Sequence, residues 1–314
     1  MRSRIPHELS DRGGFALITV LWVLAAAATV ASVVALDSRA ATEGSRNRIQ
    51  AERAAWAAFG CAEVVRRSID ALFSEAKSEV ERRAIWLELS RRLELRRNGP
   101  ASGCVVVLEA VGARADVRAV DARTMRLLLR HAGAPDAPQP LVDAYLDWID
   151  TDDHSLSRGG ERSGYEAERR IPPRNGPIQD ARELALIHGF ESAYVRLLPF
   201  LSSHVAPIAL NAASRPVLLT VPGLNEEIVG RLLQRRRIGA FLEDERELLD
   251  GVTDQSAQAL LERYTDLVAV TSLDPLGWSL LVTANTGSPS VTSALEVILV
   301  RGSDRVAVQE RRVW

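Results

Sequence analysis

Residues 12–36 read RGGFALITVLWVLAAAATVASVVAL. From Phe15 to Leu36 there is no charged side chain, and Asp37, Ser38 and Arg39 end the run. A helix of about 20 residues covers the roughly 30 Å of a bilayer's hydrocarbon core, so this segment is expected to cross a membrane once. Arg2, Arg4 and Arg12 precede it, against Glu8 and Asp11. Short flanks rich in Lys and Arg stay in the cytoplasm. The expected topology is therefore a cytoplasmic N-terminus, a single pass of the inner membrane and an exported bulk.

A secretory signal has a shorter apolar stretch, followed by a small-residue cleavage site. Here the distinctive feature comes first. Arg12-Gly13-Gly14-Phe15 joins a polar, basic leader to the apolar run through two glycines. Glycine leaves the backbone bare and extended, which suits a protease site. The junction resembles the leader of type IV prepilins. That resemblance implies a prepilin peptidase cutting after Gly14, methylation of the new N-terminal Phe15, and retention of the helix. Counting Phe15 as the first mature residue, the fifth is Thr19, where most pilin-like subunits carry Glu. A carboxylate at that depth costs about 3 kcal/mol unless paired. In the family it meets the amine of the neighbour nearer the filament tip, which a tip subunit lacks. Among pseudopilins the K minor pseudopilin of type II secretion systems is the one without it. The string ALITVLWVLA, Ala16 to Ala25, is similar to that protein.

The chain has 314 residues, enough for about two domains beyond a targeting segment. Its net charge of -2 provides no basic excess for nucleic acid, and its 46% hydrophobic content suffices for a core. Glu43 to Arg97 is helical in composition, with Ile69, Leu72, Phe73, Ile85, Trp86, Leu89 and Leu93 at helical spacing, until Asn98-Gly99-Pro100 stops it. The charged run Glu79 to Arg83 reads as a solvated face. CVVVL, Cys104 to Leu108, reads as a buried strand; after a turn at Val111-Gly112-Ala113 comes a second strand, Ala115 to Val120. Helices are expected at Thr124 to Arg130, Leu141 to Ile149, Asp180 to His188 and Tyr194 to Leu201. ADVRAVDARTMRLLLRHAG from Ala115 weakly repeats in APIALNAASRPVLLTVPG from Ala206, each a short strand, a polar turn and a helix. Val268 to Ser272, Gly277 to Asn285, Val291 to Arg301 and Arg305 to Arg311 alternate apolar and polar residues between turns, as antiparallel strands do.

Residues 217–249 resemble a helix-hairpin-helix unit turning at Pro222-Gly223. DNA-binding versions place a second glycine where Asn225 stands, so that backbone N–H groups face a phosphate. Glu226 and Glu227 oppose that use, and Arg231 to Arg237 favour it. The runner-up function is thus a membrane-anchored periplasmic DNA-uptake protein. His7, His131, His154, His188 and His204 are scattered, with no HExxH, GxSxG or Walker motif, so the expectation is no enzyme. Cys61 and Cys104 have no metal-finger spacing. They read equally as a pair in an oxidising compartment and as two small buried apolar residues.

Taken together, the leader, LVDAYLDWIDTDD (Leu141 to Asp153), GGERSGY (Gly159 to Tyr165), PPRNGPIQDARELALIHGF (Pro172 to Phe190) and IALNAASRPVLLTVPGL (Ile208 to Leu224) resemble the type II secretion minor pseudopilin K family. The resemblance implies an α+β protein in which a large helical domain is inserted into a pilin-like antiparallel sheet. The expected division is a leader at 1–14, a transmembrane helix at 15–36, and a pilin-like core of long helix and first strands at 37–120. A helical insertion at 121–267 and closing strands at 268–314 complete it. Implied partners are minor pseudopilins I and J, then H, the major pseudopilin G, the prepilin peptidase and the inner-membrane assembly platform, with no nucleic acid. The implied role is at the tip of a periplasmic pseudopilus.

Asp150, Asp152 and Asp153 follow a helix, with Glu161 beyond a glycine-rich stretch. Closely spaced carboxylates on an irregular loop can supply the six to eight oxygens calcium takes, although no EF-hand fits. From the residues alone they read as a solvated loop capping helices. The resemblance, to a family that binds calcium in its helical domain, implies a calcium site made of Asp150, Asp152, Asp153 and Glu161.

Overall fold

The computed structural model describes residues 12–96, 103–133, 138–303 and 305–313. The apolar run opens α1, Arg12–Glu75, a single helix of 64 residues. At 1.5 Å per residue it is about 95 Å long. Between Leu17 and Arg53 none of its residues is buried. From there Ala54, Ala58, Ala62, Ile69, Leu72 and Phe73 form a buried stripe at helical spacing. The alanines let the sheet approach closely, and the larger residues fill the space where it turns away.

Helices α2 (Glu79–Leu87) and α3 (Leu89–Arg96) follow, the first capped by Ser78 accepting from the Glu81 N–H. The expected stop at 98–100 lies outside the described residues. Strand β1 (Cys104–Val111) is followed by β2 (Ala115–Asp116), α4 (Ala122–His131), α5 (Gln139–Ile149), α6 (Arg162–Ala167), α7 (Tyr194–Leu197) and β3 (Leu201–Ser202). Next come β4 (Ile208–Ala209), α8 (Arg215–Leu218), α9 (Glu226–Arg237), α10 (Asp254–Glu262), α11 (Tyr264–Val270) and β5 (Thr271–Ser272). The chain closes with β6 (Gly277–Thr286), β7 (Val291–Arg301) and β8 (Val306–Val313).

The main sheet has four antiparallel strands in the order β1-β6-β7-β8. Alternate residues point to one face. Leu280, Val282 and Ala284 of β6 and Leu295, Val297 and Leu299 of β7 meet the α1 stripe in one hydrophobic core. Trp86 closes its end, edge-on to Phe73 at 6.1 Å and to Trp278 at 6.3 Å, and donates to the Pro275 carbonyl. Cys61 and Cys104 are joined by a disulfide, which ties α1 to the start of edge strand β1.

A second core belongs to the helices between β1 and β6. Two strand expectations fail at its border. Only Ala115–Asp116 of the segment 115–120 forms a strand; Asp116 accepts from the Arg118 N–H and starts a 3-10 turn at Val117–Ala119. Ala115, Val117 and Val120 then pack among the helices instead of on the main sheet. Likewise, most of 268–272 is the end of α11, with Leu267 buried, and only Thr271–Ser272 pairs, parallel to β4. The helix expected at 180–188 is a 3-10 helix, Ala181–Leu186, with an Asp180–Glu183 capping box. The two repeat copies do share a plan: β2 pairs parallel with β3, and β4 with β5, each leading to a helix.

Gly112 is where the sheet meets the helices. Its φ is +95°, and a Cβ there would lie 2.5 Å from the Pro207 carbonyl oxygen, so a side chain is excluded twice over. Its own carbonyl accepts from the Ala209 N–H at 2.9 Å. Arg83 strengthens the joint. It donates to Asp274 at 2.6 and 2.9 Å and to the Leu242 carbonyl at 2.6 Å, so the run expected to be wholly solvated carries one clamp.

Candidate metal centre

Helix α5 buries Val142, Tyr145 and Trp148 at helical spacing. It also buries Asp143 and Asp147, one turn apart. Asp150 is the residue that ends it. Carboxylates at a helix C-terminus face the negative end of its dipole, which is unfavourable unless a cation compensates. After the exposed loop 151–158 the chain returns through Gly159 and Gly160 to Glu161, which precedes α6.

The return brings Asp147, Asp150 and Glu161 together, with one carboxylate oxygen of each inside a 4.8 Å cluster. Asp147 is 0% exposed and Glu161 5%. Asp147 accepts from the Leu156 N–H at 3.0 Å and from the Ser155 hydroxyl at 3.2 Å. Both oxygens of Glu161 and Oδ1 of Asp150 are buried without a hydrogen-bond partner. Burial, then the charges of neighbouring Asp residues, pushes the Glu161 and Asp150 carboxyls above their usual range. Gly159 makes room for the cluster: a Cβ there would fall 1.9 Å from Asp147 Oδ2. Trp148 and Tyr165, with ring centroids 5.5 Å apart, form an aromatic wall, and the Tyr165 hydroxyl accepts from the His188 N–H.

Of the residues expected as ligands, Asp150 and Glu161 are brought together. Asp152 and Asp153 stand outside that cluster. Asp152 is exposed and accepts from the His154 N–H at 2.8 Å. Asp153 accepts from the Asn175 side-chain amide at 3.1 Å. Asn175 holds a φ of +53°, and its own Oδ1 is buried without a partner. Asp147 escapes the sequence reading because it sits on what reads as the polar face of an amphipathic helix. The signal is the pairing of Asp147 with Asp150 across a helix C-terminus.

The donor set is all oxygen and mostly anionic. Hard oxygens suit calcium or magnesium, and soft or imidazole-seeking metals need sulfur or nitrogen. Orphaned buried carboxylate oxygens cost several kcal/mol without a counter-charge. The residues therefore fit a hard divalent cation.

Residues 103–204, which include this centre, match the family model described as type II secretion system (T2SS), protein K. Among curated proteins, Type II secretion system protein K of Pseudomonas aeruginosa is 28% identical over 240 residues, covering 69% of this chain and 72% of that protein. Its counterparts in Klebsiella pneumoniae (29% over 203 residues) and Pectobacterium carotovorum (27% over 215) align over 60% and 61% of this chain. Those two alignments span 61% and 62% of the relatives, somewhat under two thirds. A chain in the crystal structure of the GspK-GspI-GspJ complex from enterotoxigenic Escherichia coli superposes with a TM-score of 0.57 at 16% identity. The superposition covers 86% of this chain and 99% of that one, so the α+β architecture is shared.

Proposed function

We propose that this protein is a minor pseudopilin at the tip of a type II secretion pseudopilus. There it helps start pseudopilus assembly and so the export of folded proteins across the outer membrane. The observation that carries the reading is the two-part character of α1. Its apolar first half is exposed at every described position, and its second half is packed on the sheet. Beyond the expected bilayer the helix still exposes Ile49 (48%), Trp56 (75%) and Val64 (63%). These lie seven and eight residues apart, on one side of the helix. Such a stripe is normally covered by a partner, and side-by-side helices of pilin-like proteins would cover it.

The partners in this reading are minor pseudopilins I and J first, then H and the major pseudopilin G, with the prepilin peptidase and the inner-membrane platform acting earlier. Full-length protein co-expressed with minor pseudopilins I and J is expected to co-purify with both. Trp56→Asp should cut retention at least tenfold while leaving the melting temperature unchanged, because the residue is already exposed. Equal retention of the variant would remove α1 as the assembly element.

Processing belongs to the same reading. Cleavage between Gly14 and Phe15, with methylation of Phe15, would leave the helix on the mature protein. Mass spectrometry of membrane-extracted protein is expected to give a mature N-terminus at Phe15. A terminus beyond residue 36 would mean ordinary signal cleavage and no pilin-type anchor.

Calcium completes the proposal. Asp147, Asp150 and Glu161 would hold the ion, with Asp153 and Asp152 as nearby outer charges. When bound, the cation supplies the positive charge that the orphaned oxygens lack. The chain's own contribution is to bring α5 and α6 together around it. DNA uptake is the weaker reading. Asn225 and Glu227 are spent on capping and on Thr253 and Ser256. Arg235 is paired with Glu247, and Arg236 is turned inward to the Ala212 and Ala213 carbonyls.

A further inference from the structure

A cleft of about 510 Å³ lies between α3, β1 and the C-terminal end of α9. Its size is that of a site for a small ligand or a few residues of extended peptide. Apolar side chains, among them Leu108, Leu233 and Phe241, line much of it. Arg236 and Arg237 stand over it, and Trp278 lies against it from the sheet.

The polar groups of the cleft do not balance. Arg236 is bonded only to backbone carbonyls, of Ala212 and Ala213, so its hydrogen bonds are used but its charge is not neutralised. Burial accordingly pulls its guanidinium below the usual range, with no carboxylate countering the pull. Arg237 is exposed and has no ion-pair partner among the described residues. Trp278 is 5% exposed, and its buried indole N–H has no acceptor. An unpaired buried donor costs roughly 1–3 kcal/mol. The two carboxylates of the cleft are already engaged, Glu109 by Arg114 and Glu88 by Arg91 and Arg92. What is left over for a ligand is two cations beside an apolar wall.

We infer that this cleft binds an extended polypeptide segment carrying an acidic side chain next to apolar ones. The acidic group would answer Arg236 and Arg237, and the apolar neighbours cover the wall. A polyanion fits poorly, because two carboxylates, Glu88 and Glu109, also line the cleft. A small free anion leaves the apolar wall uncovered.

The inference does not depend on the pilus reading, and its test involves no other pseudopilin. Detergent-solubilised full-length protein is titrated into a fluorescein-labelled Leu-Glu-Phe tripeptide with blocked ends, and anisotropy is followed. Saturable binding is expected, at least tenfold weaker for the Leu-Gln-Phe peptide and weaker at high salt. Arg237→Gln should weaken it severalfold. That residue is exposed, so the variant should fold. Equal binding of the Glu and Gln peptides, no saturable binding, or displacement by free glutarate at the peptide's own affinity would each overturn the inference.

Discussion

Calcium added to protein stripped by a chelator is expected to raise the melting temperature by roughly 5 to 10 °C. An ion that binds only the folded state stabilises it by about 2.7 kcal/mol at a hundredfold excess over Kd. Each kcal/mol moves the midpoint by about 2–4 °C in a domain of this size. The physical origin is the cluster of Asp147, Asp150 and Glu161, whose orphaned oxygens lie inside the fold. Glu161→Gln or Asp150→Asn should abolish most of the response. The same variants should melt above the wild-type protein in chelator, because each removes an uncompensated buried charge. Gly159→Ala should also lose the response, since its methyl group would displace Asp147. Asp152→Ala should keep it, because that carboxylate is exposed and engaged with the His154 N–H. Magnesium should do less, since it demands a tighter octahedral shell. Coincident melting curves in calcium and chelator would leave only a solvated acidic loop.

The contrast between Asp152 and Asp147 shows what the sequence could and could not reveal. The loop after α5 is legible as acidic from composition, and a cation there is expected only through the family resemblance. Which carboxylates converge depends on Gly159 and Glu161 folding back against α5, a contact that no local pattern encodes. The sheet strands β6 to β8 are legible because alternation and turn residues are local. The long helix is legible from its charge-free run. Residues 115–120 and 268–272 read wrongly as strands because apolar residues in a short stretch look alike whether they meet a sheet or a helical core. Asp116 and Leu267 decide these two cases, through a cap and a helical contact that no strand pattern contains. The cleft between α3, β1 and α9 has no sequence signal at all. Its charge imbalance arises because Arg236 turns inward while Arg235 finds Glu247, and both belong to the same RRR run.

Reduction of the Cys61–Cys104 disulfide is expected to lower the melting temperature by about as much as calcium raises it, or more. The bond spans 43 residues of sequence. In the chain-entropy account, closing a loop of that length stabilises the fold by about 4 kcal/mol, or roughly 8 to 15 °C at about 2–4 °C per kcal/mol. The position explains where the loss should appear. Strand β1 is the sheet's edge, paired only to β6, and its outer side chains Val105 and Val107 are half exposed. Cys104 opens the strand, so in the reduced protein β1 should fray from there. Hydrogen exchange should quicken there before it does in β6 or β7. The paired Cys61→Ser, Cys104→Ser variant should reproduce both effects. The disulfide belongs to the sheet core and the acidic cluster to the helical one. Distant sites act additively to within a few tenths of a kcal/mol, so the calcium shift should persist in the reduced protein. Such bonds persist chiefly in oxidising compartments. Two free thiols in protein isolated without reductant, or equal melting before and after reduction, would overturn the expectation. In either case β1 would be held by its pairing with β6 and by the α1 core alone.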